Sequence, residues 1–486
     1  MVRLAAFRLI PALDTYPKVV DFAQKLPGKI LLLALFSAGI SFRTDNWLPL
    51  SAFLAVMTFL PQCRPVLLTI ATFGSLYLAN WPNVEIPWSI PQQQNSPVIF
   101  FKPLILAAAL VFFAVYYAVV TKNRDGWFAK RPIRNLLVFY LLLLLTATNL
   151  PLSSPQALYL WTFLAVIGKY LWFFNYTLID RHAKETPHLV LQAGYYFPFW
   201  GWSTTPFPKG AAYLRKIEAK SPAQLAVSQL KAIKLLYWAL LLSLLERVLR
   251  QIFYGSADVS PAFLGISFFL GIPTLEAVLH AAAGHSYPWH MNWLALIANF
   301  VVRLLWFSVW GHVIIAGCRM AGYNALRNTY KPLQSASIAD FWNRFYYYFK
   351  ELLVDNFFYP TFLRYFKKWP KLRLFFATLA AAGFGNLLFH FLRDIGAIAG
   401  KGFWQTLWSF RVYAFYGLVL GTAIGLSQLY EKKRTKDMSW FRKNIITPVY
   451  VVGFYCLLSI FDSSDDKLTL TDHFIFLCKL FNIHFS

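Results

Sequence analysis

His390 stands in the middle of an apolar run, between Leu387-Leu388-Phe389 and Phe391-Leu392. Ionisable side chains at membrane depth are costly, so each one inside a hydrophobic run is a candidate for function. On a helix, Asn386 lies one turn before His390, with Arg393 and Asp394 one turn after it. Imidazole has the intrinsic proton affinity of a general base near neutral pH. Asn386 or Asp394 could hold its ring and fix its tautomer. The alternative is a structural histidine bonded to a neighbouring helix, and both readings stay open at this level.

Other chemistry-bearing residues give weaker signals. His280, His285 and His290 recur at intervals of five, which does not align them on one helical face as the i, i+4 pair of a zinc helix does. They read as interfacial histidines, and no metal is expected. His182, His188, His473 and His484 lie near loops or the terminus. Cys63, Cys318, Cys456 and Cys478 are scattered without CxxC spacing, so they form neither a disulfide framework nor a metal knuckle. No P-loop, dinucleotide fingerprint or serine nucleophile elbow is present. Gly383-Phe-Gly385 lies inside an apolar run, where it reads as a place of close helix packing.

The elements that carry these residues follow from composition. The chain has 486 residues, 58% apolar, 19% aromatic and 14% charged, with a mean hydropathy of +0.48. Soluble domains carry about 25% charged residues. Apolar runs of roughly twenty residues make this an all-α polytopic membrane protein with about 11–13 membrane helices in one domain, residues 1–486. A transmembrane β-barrel is excluded, because the runs do not alternate over about ten residues. The formal net charge of +25 sits in a few loops beside the spans. It therefore reads as topology and anionic headgroup contact, not nucleic-acid binding. Met1–Lys29 is basic and broken by Pro11, Pro17 and Pro27, which does not read as a cleavable signal peptide.

Spans are drawn at 29–41, 47–60, 65–80, 99–120, 135–150, 157–176, 235–254, 292–318, 373–399, 403–428, 445–461 and 471–484. Lys122, Arg124, Lys130, Arg131 and Arg134 crowd one loop, and Lys432, Lys433, Arg434, Lys436, Arg442 and Lys443 another. The positive-inside rule puts both in the cytoplasm and the N-terminus with them. Residues 81–98, without Lys or Arg, and the acidic stretch with Asp462, Asp465, Asp466 and Asp472 belong outside. Counting crossings keeps the basic stretch 319–371 cytoplasmic only if 262–284, broken at Gly271-Ile272-Pro273, is re-entrant. Tyr195–Trp202 reads as an interfacial aromatic belt or the lining of a lipid or acyl chain. Phe341–Tyr359 reads as one interfacial helix with three stripes. Phe341, Phe345, Phe349 and Leu352 form its apolar face, Arg344, Glu351 and Asp355 a charged one, and Asn343, Tyr346 and Lys350 a polar one.

The run Arg319-Met-Ala-Gly322-Tyr-Asn324, then Pro332, Ser335-Ala-Ser-Ile-Ala-Asp340-Phe341-Trp342-Asn343-Arg344, Asp355 and Tyr359-Pro360, resembles the membrane-bound O-acyltransferase family. Leu387-Leu388-Phe389-His390 is similar to that family's Gly-Leu-Trp-His, in which the histidine is near-invariant. The motif-level resemblance covers about residues 315–395. Tyr346 stands where family members place a second His or an Asn, and Phe389 and Phe391 replace the usual Trp and Gly around the histidine.

The resemblance implies a bundle of tilted helices around a tunnel, with re-entrant and interfacial helices. It implies His390 as general base and Asn343 or Tyr346 as donor to the developing oxyanion. Trp342, Lys350, Asp355, Asn386 and Asp394 are then expected around the substrates. The donor would be acyl-CoA or a carrier-protein thioester, with no further cofactor. The acceptor would be a hydroxyl of an envelope or secreted polysaccharide, or of a lipid. The pattern is closest to the branch that acts on bacterial envelope polymers, which places the chain in the inner membrane beside a partner envelope-modifying protein. A transporter or flippase is the rival from another class, because it would use the same intramembrane residues. A non-catalytic scaffold that kept the fold is a second rival.

Overall fold

The computed structural model describes residues 10–78, 98–123, 125–151, 154–183, 189–195, 198–200, 205–255, 268–284, 287–434, 439–463 and 467–483. Among these residues the regular elements are helices, with one isolated bridge between Glu218 and Tyr323. Six helices are long and apolar enough to cross a bilayer: Pro103–Lys122, Tyr159–Asp180, Trp289–Met320, Pro370–Arg393, Arg411–Tyr430 and Arg442–Phe461. Trp47–Phe59 and Pro61–Gly74, which meet at 116°, make a seventh if they form one broken span. The fold class is therefore all-α and polytopic, as the apolar runs imply.

Among the described residues the number of such helices is lower than the expected 11–13, because several helices are short. Pro222–Tyr254 is long enough at 33 residues, but it carries Glu246, Arg247 and Arg250 in its apolar part. Leu26–Ser41 and Pro132–Ala147 have 16 residues each, or about 24 Å at 1.5 Å per residue, short of a hydrocarbon core of about 30 Å. The run expected to span at 471–484 is helical only over Leu470–Lys479. The run at 403–428 is divided at Phe410 into Phe403–Ser409 and Arg411–Arg434. In the segment expected to be re-entrant, 262–284, residues 262–267 lie outside the described residues. Its described part, 268–284, holds only the short helices Leu275–His280 and Ala281–Ala283. Here the backbone N–H groups of Leu270 and Ile272 donate to the carbonyls of Ile252 and Phe253, at 2.7 and 2.8 Å. Gly271, at φ +62°, makes that return possible.

Helices Pro222–Tyr254 and Trp289–Met320 run antiparallel along one another and form the spine of the bundle. Ser228 Oγ donates to the Arg319 carbonyl at 2.8 Å, and Gln229 Nε2 to the Met320 carbonyl at 3.2 Å. Two large apolar cores flank this spine. One gathers Trp161, Leu164, Phe174, Phe349 and Phe389; the other gathers Phe36, Leu236, Ile315 and Tyr348. Tyr346 packs against both, so it sits where they meet. Tyr195, Phe199 and Trp200 are buried in the second core. Phe199 stacks on Phe53 and Trp200 packs on Tyr323, which corrects the expected interfacial belt for the described part of Tyr195–Trp202.

The expected interfacial helix over Phe341–Tyr359 is three pieces. Ile338–Phe345 ends at Tyr346, whose φ −136° and ψ +68° are not helical. Tyr347–Leu353 follows, and then a π-helical turn, Val354–Phe358. The first piece starts where the Ser337 hydroxyl accepts from the Asp340 N–H at 3.0 Å, an N-cap. Asp340 in turn accepts from the Ala336 N–H and pairs with Arg344 at 2.8 Å. The Ser-Xaa-Xaa-Asp of the sequence motif thus acts as a helix start.

Candidate active site

His390 lies on helix Asn386–Arg393, which continues the span from Pro370 through a π-helical segment, Leu379–Gly385. Insertions of this kind are frequent at functional sites, because they re-aim the following turn. Small residues let this segment press against its neighbour. A Cβ at Gly383 would lie 3.2 Å from the Gly417 carbonyl oxygen, and one at Gly421 would lie 3.0 Å from the Gly383 nitrogen. A Cβ at Gly385 would strike the Phe357 ring at 2.5 Å. Gly383 is therefore a point of backbone contact and Gly385 makes room for the Phe357 ring, close packing of the kind its apolar setting suggests.

A cavity of about 550 Å³ opens beside His390. Trp306, Trp310, Trp342, Phe349 and Tyr413 contribute to its mostly aromatic wall, while Arg303, His390, Arg393, Asp394 and Asp462 supply its charged and titratable groups. Its charged groups pair with one another. Arg303 Nη2 lies 2.8 Å from Asp462 Oδ2, and Arg393 Nε lies 3.1 Å from Asp394 Oδ1. The Tyr413 ring lies 4.6 Å from the His390 ring, centre to centre. The Tyr413 hydroxyl donates to Asn386 Oδ1 at 3.2 Å. Asn386 thus relates to His390 through Tyr413, while Asp394 pairs with Arg393.

The residues expected at the site separate into two groups. His390, Tyr346, Trp342, Asn386 and Asp394 all line the cavity. Phe349 stands between Tyr346 and His390, with ring centres 5.4 and 6.0 Å from theirs. Asn343 is exposed and is not part of the wall. The helix ends two residues after it, so the expected Asn343–Tyr346–Lys350 stripe does not exist. Lys350 pairs with Glu351 and covers the Tyr347 ring, away from the cavity. Asp355 accepts from the Tyr176 hydroxyl at 3.1 Å and from Lys209 Nζ at 2.9 Å.

Lys209 makes this second group into a brace for the wall. Its ammonium also lies 2.6 Å from Glu351 Oε2. The loop that carries it presents Thr205 and Phe207 to the cavity. Burial works against the charge on Lys209, but Glu351 and Asp355 outweigh it and hold the ammonium above the usual lysine range. Burial likewise works against the Glu351 carboxylate, yet Lys209 and Lys350 keep its pKa below the ordinary value.

Arg303, Tyr413, Tyr416 and Asp462 belong to the cavity, although none of them was expected from the sequence as a site residue. Arg303 carried a usable signal, since it interrupts the apolar run Phe300-Val-Val-Arg-Leu-Leu-Trp306 as His390 interrupts its own. His312, buried in Trp289–Met320 one residue from the lining Gly311, was also passed over. His280 and His290 are exposed, and His285 lies outside the described residues. No known family model and no curated protein matches this chain.

Proposed function

We propose that this chain is an integral-membrane O-acyltransferase. It would move an acyl group, acetyl-sized, from a cytoplasmic thioester to a hydroxyl of an envelope or secreted polysaccharide. The observation that carries the reading is the placement of His390. It is a histidine in an apolar span that faces a cavity, beside Tyr413 and within an aromatic wall that also holds Tyr346. Aromatic walls with a few charged groups suit a sugar face and its hydroxyls, and exclude most water from the reacting atoms.

In this reading an acceptor hydroxyl lies against the imidazole. The neutral ring takes the hydroxyl proton as the oxygen attacks the thioester carbonyl carbon. The carbonyl oxygen gains the negative charge, and the Tyr346 hydroxyl is the favoured donor to it. Collapse re-forms the carbonyl, breaks the C–S bond and releases a thiolate, which recovers the proton from the imidazolium. The products are an ester and a thiol, and no cofactor is consumed.

Loop charge supports an orientation for this chemistry. With the Lys- and Arg-rich loops in the cytoplasm of a bacterial inner membrane, the Tyr346 end of the cavity faces the thioester. The Arg393–Asp394 and Asp462 end faces the acceptor. The test is transfer or hydrolysis of acetyl-CoA by purified protein, with His390→Ala beside it. Activity within a few-fold of wild type in that variant would sink the proposal.

A second reading has a specific observation in its favour. Two Arg–Asp pairs share the cavity wall with His390, and charged groups lining a cavity between spans serve proton and substrate paths in transporters. Substrate-dependent proton flux into proteoliposomes, in the absence of any acyl donor, would favour it. An acceptor of lipid type is separated from a polysaccharide by offering each with the same donor.

A further inference from the structure

The turn that feeds the His390-bearing span has an unusual surface. Helix Tyr359–Arg364 ends, the chain reverses through Phe366 at φ +52°, and the span begins at Pro370. Between Asp355 and Asp394 the sequence contains no acidic residue. Arg364, Lys367, Lys368 and Lys371 are all exposed, and the three lysines form no ion pair among the described residues. Arg373 is differently employed, packed over the Phe362 ring at 3.9 Å.

Large apolar side chains stand among these charges. Leu363 is 63% exposed, Trp369 60% and Leu372 43%. The successive residues Trp369, Pro370, Lys371 and Leu372 form a shallow, open surface that is almost wholly apolar. An apolar surface close in sequence to exposed ammonium groups that form no ion pair among the described residues matches an amphiphile with a negative head. Tryptophan and lysine together at the end of a span are also the residues that settle at headgroup depth.

We propose that residues 363–372 form a binding site for an anionic glycerophospholipid. Its acyl chain lies along Trp369, Pro370 and Leu372, and its phosphate faces Lys367, Lys368 and Lys371. The site is separate from the cavity at His390 and does not depend on the reaction proposed there. Because Pro370 opens the span that ends in helix Asn386–Arg393, a lipid held here fixes the depth of that span in the bilayer.

The test uses the full-length protein in detergent with photoactivatable phosphatidylglycerol or phosphatidylcholine, and maps the labelled peptides by mass spectrometry. Phosphatidylglycerol should label 363–373 at least tenfold more than phosphatidylcholine. Each lysine near a headgroup phosphate contributes about fivefold, so K367Q/K368Q/K371Q should lose roughly a hundredfold in affinity. Trp369→Ala should weaken labelling by both lipids and keep the preference. The charge-preserving K367R/K368R/K371R keeps the preference if charge is what binds, and guards against a folding defect in the first variant. Equal labelling by the two lipids, or a preference retained without the lysines, overturns the proposal. Suppression of labelling by excess glycerol 3-phosphate also overturns it, because the site would then take a free phosphate.

Discussion

Tyr413 and Asn386 form a hydrogen bond of 3.2 Å whose effect falls on a third residue, His390. The Tyr413 ring lies over the imidazole at 4.6 Å, and its hydroxyl is tied to the turn that precedes the imidazole on the same helix. Ring and helix are therefore held in register from two sides. Tyr413→Phe keeps the ring contact and removes the bond. A net hydrogen bond is worth about 0.5–1.5 kcal/mol, so turnover should fall by up to about tenfold, with KM little changed. Initial rates on the same acyl donor check this.

His390→Ala should leave the protein folded and abolish transfer. A positioned general base contributes about 10²–10⁴-fold. Among the described residues no second histidine lines the cavity to replace it. The measurement pairs a transfer assay with a thermal melt in detergent. A melt within a few degrees of wild type shows that the loss is chemical.

Tyr346 and Asn343 now make opposite predictions. Asn343 is exposed and away from the wall, so Asn343→Ala should behave as wild type. Tyr346 lines the cavity, with Phe349 between it and His390. If its hydroxyl supports the oxyanion, Tyr346→Phe loses about 2.7–4 kcal/mol of transition-state stabilisation, roughly a hundredfold or more in kcat. Normal turnover in Tyr346→Phe removes this helix from the mechanism.

The contrast between those two residues shows where sequence reading stops. The apolar runs made an all-α polytopic fold legible, and cost at membrane depth singled out His390 before any geometry. The three-stripe pattern failed because it assumed one unbroken helix across Tyr346, where the backbone leaves helical geometry. Short helices such as Leu26–Ser41 and Pro132–Ala147 reduced the number of spans among the described residues. No local pattern announces them, because tertiary contacts decide them. The pairing of Arg303 with Asp462 joins distant parts of the chain, so periodicity could not reveal it. The rule that found His390 would nonetheless have found Arg303.

The Lys209–Glu351 contact gives a pH signature outside the spans. Glu351 has a lowered pKa in the folded protein, so its contribution to stability is complete above the ordinary value of 4.5. It is lost as pH falls from there through the folded value. Lys209 has a raised pKa, so its contribution is complete below 10.5 and disappears only as pH climbs through the folded value. Glu351→Gln should flatten the acid limb of a melting-temperature profile and lower stability near neutrality by on the order of 2 kcal/mol, the worth of a charge-assisted hydrogen bond. An unchanged acid limb would show that other carboxylates set it.

The last prediction concerns the contact that aims His390. Gly421 meets the Gly383 backbone so closely that an added Cβ would sit 3.0 Å from its nitrogen. The atom opposite is main chain inside a π-helical segment, which cannot rotate away as a side chain could. Gly421→Val must therefore push helix Arg411–Arg434 away from Leu379–Gly385, and overpacking of this kind costs about 1–3 kcal/mol. Tyr413 rides on the helix that moves, and His390 on the continuation of the segment it leaves. The variant should therefore lose more activity than its melting temperature alone explains. Gly453 faces open space, so Gly453→Ala serves as a control and should leave both quantities unchanged. If Gly421→Val lowers the melting temperature while transfer by the remaining folded protein is normal, the crossing holds the bundle together and does not align the site.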